Sequence, residues 1–404
     1  MNGDLVGTWW LSSKGQDCFE YASSWMKAEH RRPLSLSMPL GPGPFRATLV
    51  RNFFENLLPD SFHLRKRLAS QLGVSQHSPW HLLSHLGRDC AGALQLLPEG
   101  EYPEGSWVRG RPLKDDYLKK LIRIIPRMGV FRSLGRDYRF CLAGEQDKAA
   151  LLRQGDDWLV PLRHTPTTHI VKVPDRPWGA ENEWLCQRIL AYFDLPVAKS
   201  ELFQAEEHQV LVVERFDRRF LNNGLELLRL PTEDLCQALG KSSTQRYQAV
   251  GGPGIQEVMD LLLGSAQANQ DRWYFFLAQL LFWMLGALEG HAKNFTLFLE
   301  RHGRFRLAPC YDVVSSHPKA GFRGALAMSW GKAEPWSLEH PPDWMGMAKL
   351  CRFKTQARAL MSFVLERTPR VIELVKAELP DGFPPQVSEP ILNGLQKAAL
   401  RLRS

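Results

Sequence analysis

Apolar residues recur at helical spacing from Leu49 to Leu68, ahead of a stop at Leu72-Gly73, and short β-like stretches surround that segment within the first hundred residues. The pattern predicts a small α+β module. Pro98 to Gly105 is dense in turn formers and predicts a surface loop, and a helix is expected over Leu113 to Ile125. Short strands are expected at Tyr138 to Leu142, Leu151-Leu152 and Trp158 to Val160. The strand-like Thr168 to Val173, the helical Glu181 to Phe193 and the apolar run Gln209 to Phe216 then follow in the order strand, helix, strand. From Thr232 onward helical patterns dominate, broken by the loop Gly251-Gly252-Pro253-Gly254 and by one β-hairpin. No internal repeat is found.

The longest apolar run, Tyr274 to Leu288, is fifteen residues and contains Gln279, short of the roughly 18 residues a bilayer span needs. It predicts a buried helix and no membrane span. The start MNGDLVGTWW has neither a basic nor an apolar leader segment, which points to the cytoplasm. At 404 residues, 44% hydrophobic and 23% charged, the chain can bury two or three domain cores. Seven scattered cysteines with no CxxC pair suggest packed thiols and neither a zinc site nor a disulfide framework. Lysine and arginine number 51 against 43 acids, a net +8, which permits a nucleic-acid or acidic-protein partner without requiring one.

The hairpin holds the chemistry. Asn294 precedes the apolar strand Phe295 to Leu299, Arg301 to Arg304 turns the chain, and Phe305 to Pro309 leads into Tyr311-Asp312. With the turn centred on His302-Gly303, paired residue numbers sum to about 605, which sets Asn294 nearly opposite Asp312 at roughly 5 Å. Both oxygens could then hold one cation. Glu289, five residues before Asn294, adds a carboxylate at the exit of the buried helix.

Phosphoryl transfer needs such parts: an acid for the substrate hydroxyl, an Asn and an Asp on magnesium, and a strand lysine on the phosphates. Lys172 is the candidate lysine, mid-strand between Val171 and Val173, with Glu183 of the following helix as a possible partner. Taken alone it reads equally as an edge-strand lysine reaching water. Leu142 to Lys148, with one glycine, is a weak phosphate-cradling loop, and Glu214-Arg215-Phe216-Asp217 ends an apolar strand where a kinase hinge would offer backbone to adenine.

On these segments the chain resembles the HipA family of bacterial serine/threonine kinase toxins over nearly its whole length. Pro33 to Leu40, Asn52 to Asp60 and Leu86 to Asp89 are similar to the family's N-terminal subdomain. Ala143 to Leu152, Thr165 to Ile170, Val213 to Arg219, Arg229 to Pro231, Gly251 to Gly254, Gly290 to Phe295 and Tyr311-Asp312 are similar to its kinase part. The resemblance implies an α+β, protein-kinase-like two-lobed fold. Its parts would be an N-terminal subdomain over 1–135, a β-rich N-lobe over 136–218 and a helical C-lobe with the catalytic hairpin over 219–404. It also implies magnesium and ATP as cofactors. ATP phosphates would meet Ala143, Gly144, Gln146, Asp147, Lys148 and Lys172, and adenine would meet Glu214, Arg215 and Phe216. Nucleotide or metal contacts would come from His291, Lys293, Asn294, Tyr311 and Asp312. The partners it implies are a HipB-type helix-turn-helix antitoxin, operator DNA through that complex, and an aminoacyl-tRNA synthetase as target.

Two departures from the family pattern divide the reading. Glu289 stands where the family has a catalytic aspartate, one methylene longer, and about 1 Å of misplacement can cost on the order of a hundredfold in rate. Cys141 stands where the family carries a regulatory serine that is autophosphorylated. The chain is then either a HipA-type kinase, slowed at Glu289 and lacking the serine brake, or a catalytically impaired relative that binds ATP, antitoxin or DNA without transferring phosphate. Lys349 and Arg352, three apart on an expected helix, match positions where the family meets operator DNA; a plain solvated helix face remains the alternative.

Overall fold

The computed structural model describes the chain except for 75–77, 104, 129–140, 175, 206–207, 320, 322–323, 330–334 and 404. Two compact units emerge, Met1–Asp175 with Lys199–Thr244 and Leu297–Arg304, and Arg176–Ala198 with Gln245–Thr296 and Phe305–Ser404. They cut across the three-part division expected from sequence. The boundary expected at 135/136 lies outside the described residues, and the one at 218/219 falls inside the strand Arg218–Leu221.

The first unit opens with a three-stranded antiparallel sheet of Gly7–Leu11, Asp17–Tyr21 and Phe45–Arg46. Its apolar face is covered by Thr48–Glu55, whose Phe54 stacks on Trp9 with ring centroids 3.9 Å apart. The single helix expected from Leu49 to Leu68 is in fact two, Thr48–Glu55 and Phe62–Leu72. Pro59 cannot donate to a continuing helix, and the Ser61 side chain accepts from the Leu64 N–H to start the second one. The apolar period runs on across the break, which hid it.

A six-stranded antiparallel sheet follows, in the order Gly110–Pro112, Asp157–Pro161, Lys148–Gln154, His169–Lys172, His208–Glu214, Ser200–Ala205. Its strands contain the expected stretches 151–152 and 158–160 and the greater part of 168–173 and 209–216, the strands ending at Lys172 and Glu214. Asp115–Met128 packs one apolar face onto it, Leu118, Leu121, Ile122 and Ile125 joining Leu151, Val160, Val171 and Val212 in one core. Of the strand expected at Tyr138 to Leu142, residues 138–140 lie outside the described residues, and Cys141-Leu142 is irregular backbone.

The second unit is mainly helical. Its centre is Ala268–Leu285, buried along most of its length and closed by Gly286 in the left-handed region. Phe275 and Phe282 of this helix meet Phe295 at 5.0 and 5.8 Å between centroids, fixing the segment that follows Asn294. Lys354–Glu378 and Pro385–Arg403 pack on one another and on Gly179–Tyr192. Among the described residues no helix is long and apolar enough to cross a membrane. All seven cysteines are buried thiols.

Candidate active site

In the second unit one pocket is lined by Phe282, Ala287, Glu289, Gly290, Asn294, Tyr311, Asp312, Val313 and Val314. It thus brings together the three residues expected to act as base and metal ligands. Glu289 sits just past the buried helix, its backbone carbonyl accepting the His291 N–H at 2.7 Å and the Asn294 Nδ2 at 2.8 Å. That second bond orients the amide and leaves Oδ1 as its acceptor end, the atom a hard cation would take. Asn294 is buried, as are His291 and Lys293.

Asp312 reaches the pocket by a different route from the one expected. The Ala308 N–H donates to the Thr296 carbonyl at 2.8 Å and the Glu300 N–H to the Arg304 carbonyl at 2.7 Å, so paired numbers sum to 604. The turn centres on His302, at φ 61, one position earlier than expected. Asn294 therefore does not pair with Asp312 across a ladder. Beyond Ala308 the chain leaves the hairpin, the Cys310 N–H donating to the Pro196 carbonyl and its carbonyl accepting from Ala198 N–H, each at 2.8 Å. Asp312 then takes a left-handed backbone, φ 60, a conformation that aspartate tolerates and that clusters at functional sites. Tyr311 anchors the turn, its hydroxyl donating to the Lys293 carbonyl at 2.8 Å and meeting Thr296 Oγ1 at 2.8 Å.

Among the described residues no three His, Cys, Asp or Glu side chains converge as a metal cage. One carboxylate and one amide suit magnesium, which keeps several waters and takes its other ligands from phosphate.

The residues expected to hold phosphates and adenine lie in the first unit. Lys172 is buried at the end of its strand, paired in register with Lys148 on one side and Leu211 on the other. Glu183, its expected partner, is a buried residue of the second unit and accepts from Gln187 Nε2 at 3.1 Å. The loop from Ala143 to Lys148 is shaped by three contacts: Lys148 Nζ donates to the Ala143 carbonyl at 2.6 Å, Gly144 N–H to Asp60 Oδ2 at 3.2 Å, and Arg67 pairs with Asp147. Gly144 has φ 106 and a Cβ there would lie 2.5 Å from Lys148 Nζ, so this turn requires glycine. Gln146 is half-buried beside it. Cys141, just upstream, is buried and its thiol donates to the Leu57 carbonyl at 3.0 Å.

At the expected hinge the Arg215 side chain is turned into the protein. Arg215 is buried, its backbone N–H donates to the Thr168 carbonyl at 2.8 Å, and its carbonyl accepts from the Arg218 N–H at 3.2 Å. Its guanidinium points into an ion network with Asp217 at 2.9 Å and Asp89 at 3.3 Å and is committed to those carboxylates. Arg218 and Arg229 complete the network at 2.9 and 3.4 Å from Asp89, and Thr167 Oγ1 donates to Asp89 at 2.7 Å. Burial would raise the Asp89 pKa, but Arg218, Arg215 and Arg229 together hold it down at about 2. Glu214 is exposed and pairs with Lys199, while the Phe216 ring lies edge-on to Phe298 at 5.7 Å.

Lys349 lies in the last turn of the helix Trp344–Leu350, and Arg352 lies past its end at φ 51. The two are exposed but do not share a helix face as expected, because Cys351 caps the helix and Lys354 starts the next.

Family models match the chain in two parts, the HipA N-terminal domain over 1–97 and the HipA-like C-terminal domain over 140–372. The chain belongs to the HipA family. A relative from Sinorhizobium fredii described as "Putative kinase Y4mE" is 32% identical over 387 residues, covering 92% of this chain and 90% of that protein. The serine/threonine-protein kinase toxin HipA of Shewanella oneidensis is 30% identical over 325 residues, 76% of this chain and 72% of that protein. The fold of this HipA-family chain also matches a chain of the S. oneidensis HipA, HipB and operator DNA complex. That match has a TM-score of 0.80 at 23% identity and covers 100% of this chain and 96% of that one.

Sequence reasoning missed Asp89 as the centre of a buried ion network and Tyr247 as a neighbour of Glu289. Asp89 carried a signal, since Leu86 to Asp89 and Val213 to Arg219 were both singled out as family segments. Nothing in the local pattern around Tyr247 marked it.

Proposed function

We propose that this chain is a HipA-type serine/threonine kinase toxin that transfers the γ-phosphate of ATP to a hydroxyl of a protein target. The observation that carries the reading is one pocket lined by Glu289, Asn294 and Asp312. In this role the Glu289 carboxylate takes the proton of the attacking hydroxyl, and Asn294 Oδ1 and Asp312 hold magnesium. Magnesium, when bound, offsets the charge of the phosphate oxygens. Lys172 and the Ala143 to Lys148 loop supply positive charge and N–H donors to phosphate, with Glu214 and Phe216 at the adenine end. Arg215 acts by holding that segment in place through Asp89 and Asp217.

The protein works in the cytoplasm, restrained by a HipB-type helix-turn-helix antitoxin, with an aminoacyl-tRNA synthetase as its target class. Support for the antitoxin and for operator DNA is the fold match to a HipA solved with both. Lys349 and Arg352, exposed at a helix junction, are the DNA-facing candidates.

Calorimetric titration of magnesium-ATP tests the nucleotide assignment. Asp312→Ala should lose the magnesium-dependent part of the affinity, and Lys172→Ala should weaken ATP itself. Unchanged affinity in either variant refutes that residue's role. A chain that binds magnesium-ATP yet moves no phosphate is the impaired relative expected from the longer carboxylate at 289.

A further inference from the structure

Glu289 has one more rotatable bond than the aspartate of the family pattern, so its carboxylate needs an external hold to occupy one position. The structure supplies it from the loop ahead of the buried helix. Tyr247 Oη donates to Glu289 Oε2 at 2.5 Å. The ring is itself fixed: it meets His291 edge-on at 5.0 Å, and the Arg246 guanidinium lies 5.0 Å from its centroid.

The backbone around it is tied down as well. The Tyr247 carbonyl accepts from Val250 N–H at 3.1 Å and Gly252 N–H at 2.9 Å, and the Arg246 carbonyl accepts from Ala292 N–H at 3.1 Å. Gly252 must be glycine here, since a Cβ would lie 2.3 Å from the Gln245 carbonyl oxygen and 2.8 Å from that of Tyr247. The loop 245–252 is therefore fastened to the segment that carries His291 and Asn294.

We propose that Tyr247 is a positioning residue for phosphoryl transfer, gripping Glu289 Oε2 so that Oε1 is presented to the substrate hydroxyl. This rests on the kinase reading above. The hydroxyl proton passes to Oε1 as its oxygen bonds to the γ-phosphorus, the bond from that phosphorus to the β–γ bridging oxygen breaks, and ADP departs. Tyr247 keeps its own proton throughout. Burial, and then the hydrogen bond to Glu289, push the phenol up to about 12, so at neutral pH it remains a donor. The extra methylene at 289 and the tyrosine at 247 form one device. In Glu289→Asp the carboxylate withdraws by about one carbon–carbon bond, about 1.5 Å, out of reach of the phenol.

The test is a kinetic cycle on the full chain with Tyr247→Phe, Glu289→Asp and the double variant, measuring γ-phosphate transfer. Tyr247→Phe should lower kcat about 10- to 100-fold with KM for ATP unchanged, and should change kcat less than about twofold in the Glu289→Asp background. Full kcat in Tyr247→Phe, or equal losses in both backgrounds, overturns the proposal. A wild-type chain that transfers no phosphate fails the kinase reading instead, and the grip is then read directly by ultraviolet titration of the phenol, identified by its loss in Tyr247→Phe. The groups facing it are Glu289, Arg246 and His291. A phenol that ionises at lower pH in Glu289→Gln than in wild type upholds the contact, and one that ionises at the same pH overturns it.

Discussion

Asp89→Asn removes one negative charge from a site where three guanidinium groups and a threonine hydroxyl converge. The network holds three arginines against two aspartates, and the substitution leaves only Asp217 to balance them. Holding Asp89 at about 2, against an ordinary 3.8, means that the ionised form stabilises the fold, by on the order of a few kcal/mol. Because the folded-state value is depressed, that contribution is present above pH ~4 and is lost as the pH falls through about 2. Deleting one partner of a buried ion network costs more than the pairing itself, about 3–5 kcal/mol, since the remaining charges stay buried. Against a domain stability of about 5–15 kcal/mol this is severe. Native-state hydrogen exchange reads the first unit alone: the amides of Gly92 and Thr167, which donate to Asp217 and Asp89, should lose protection equivalent to about 3–5 kcal/mol. The loss should shrink toward acid, where wild type forfeits the same charge. Protection within about 1 kcal/mol of wild type at neutral pH would refute the reasoning.

The other expectations concern regulation, DNA and pH. Prolonged incubation with ATP should leave the peptide around Cys141 without phosphate, because its thiol is buried against the Leu57 carbonyl and offers no hydroxyl; a stoichiometric phosphopeptide there by mass spectrometry refutes this. The double variant Lys349→Ala, Arg352→Ala should lower the salt slope of operator binding by the antitoxin complex by about 2, and an unchanged slope removes both residues from the contact. Burial pushes the Glu233 carboxyl up to about 8, so its neutral form is favoured on folding and stability falls as pH rises from about 4.5 through about 8. Glu233→Gln should therefore raise the urea midpoint at pH ~8.5 and change it little at pH ~5; equal effects at both would show that the carboxyl is not buried neutral.

The parts of the fold legible in the sequence are those set by local periodicity. The buried helix Ala268–Leu285 is foreshadowed by the apolar run Tyr274 to Leu288, interrupted only at Gln279, and four strands of the six-stranded sheet by short apolar stretches between turn formers, while the edge strands Gly110–Pro112 and Ser200–Ala205 carry no such signal. What stayed hidden depends on contacts distant in sequence or on one backbone angle. The ion network of Arg215 is not legible locally because its partner Asp89 lies far upstream, and only the folded chain shows its guanidinium turned inward. The hairpin register slipped by one because His302, not the His302-Gly303 pair, sits at the centre of the turn. The meeting of Asn294 and Asp312 at one pocket survives that slip, since Asp312 reaches it through a left-handed backbone turn instead of a ladder. Glu289 was visible as a departure from the family pattern, but the tyrosine that holds it was not.

The most direct measurement is transfer of labelled γ-phosphate from magnesium-ATP, to the chain itself and to proteins of a cell lysate, by wild type and Glu289→Gln side by side, with calorimetric ATP affinity recorded for both. A kinase that uses Glu289 as its base labels a protein in wild type and falls by about 100-fold or more in Glu289→Gln at unchanged affinity. Equal labelling by the two proteins, or no labelling by a wild type that binds magnesium-ATP normally, would contradict it.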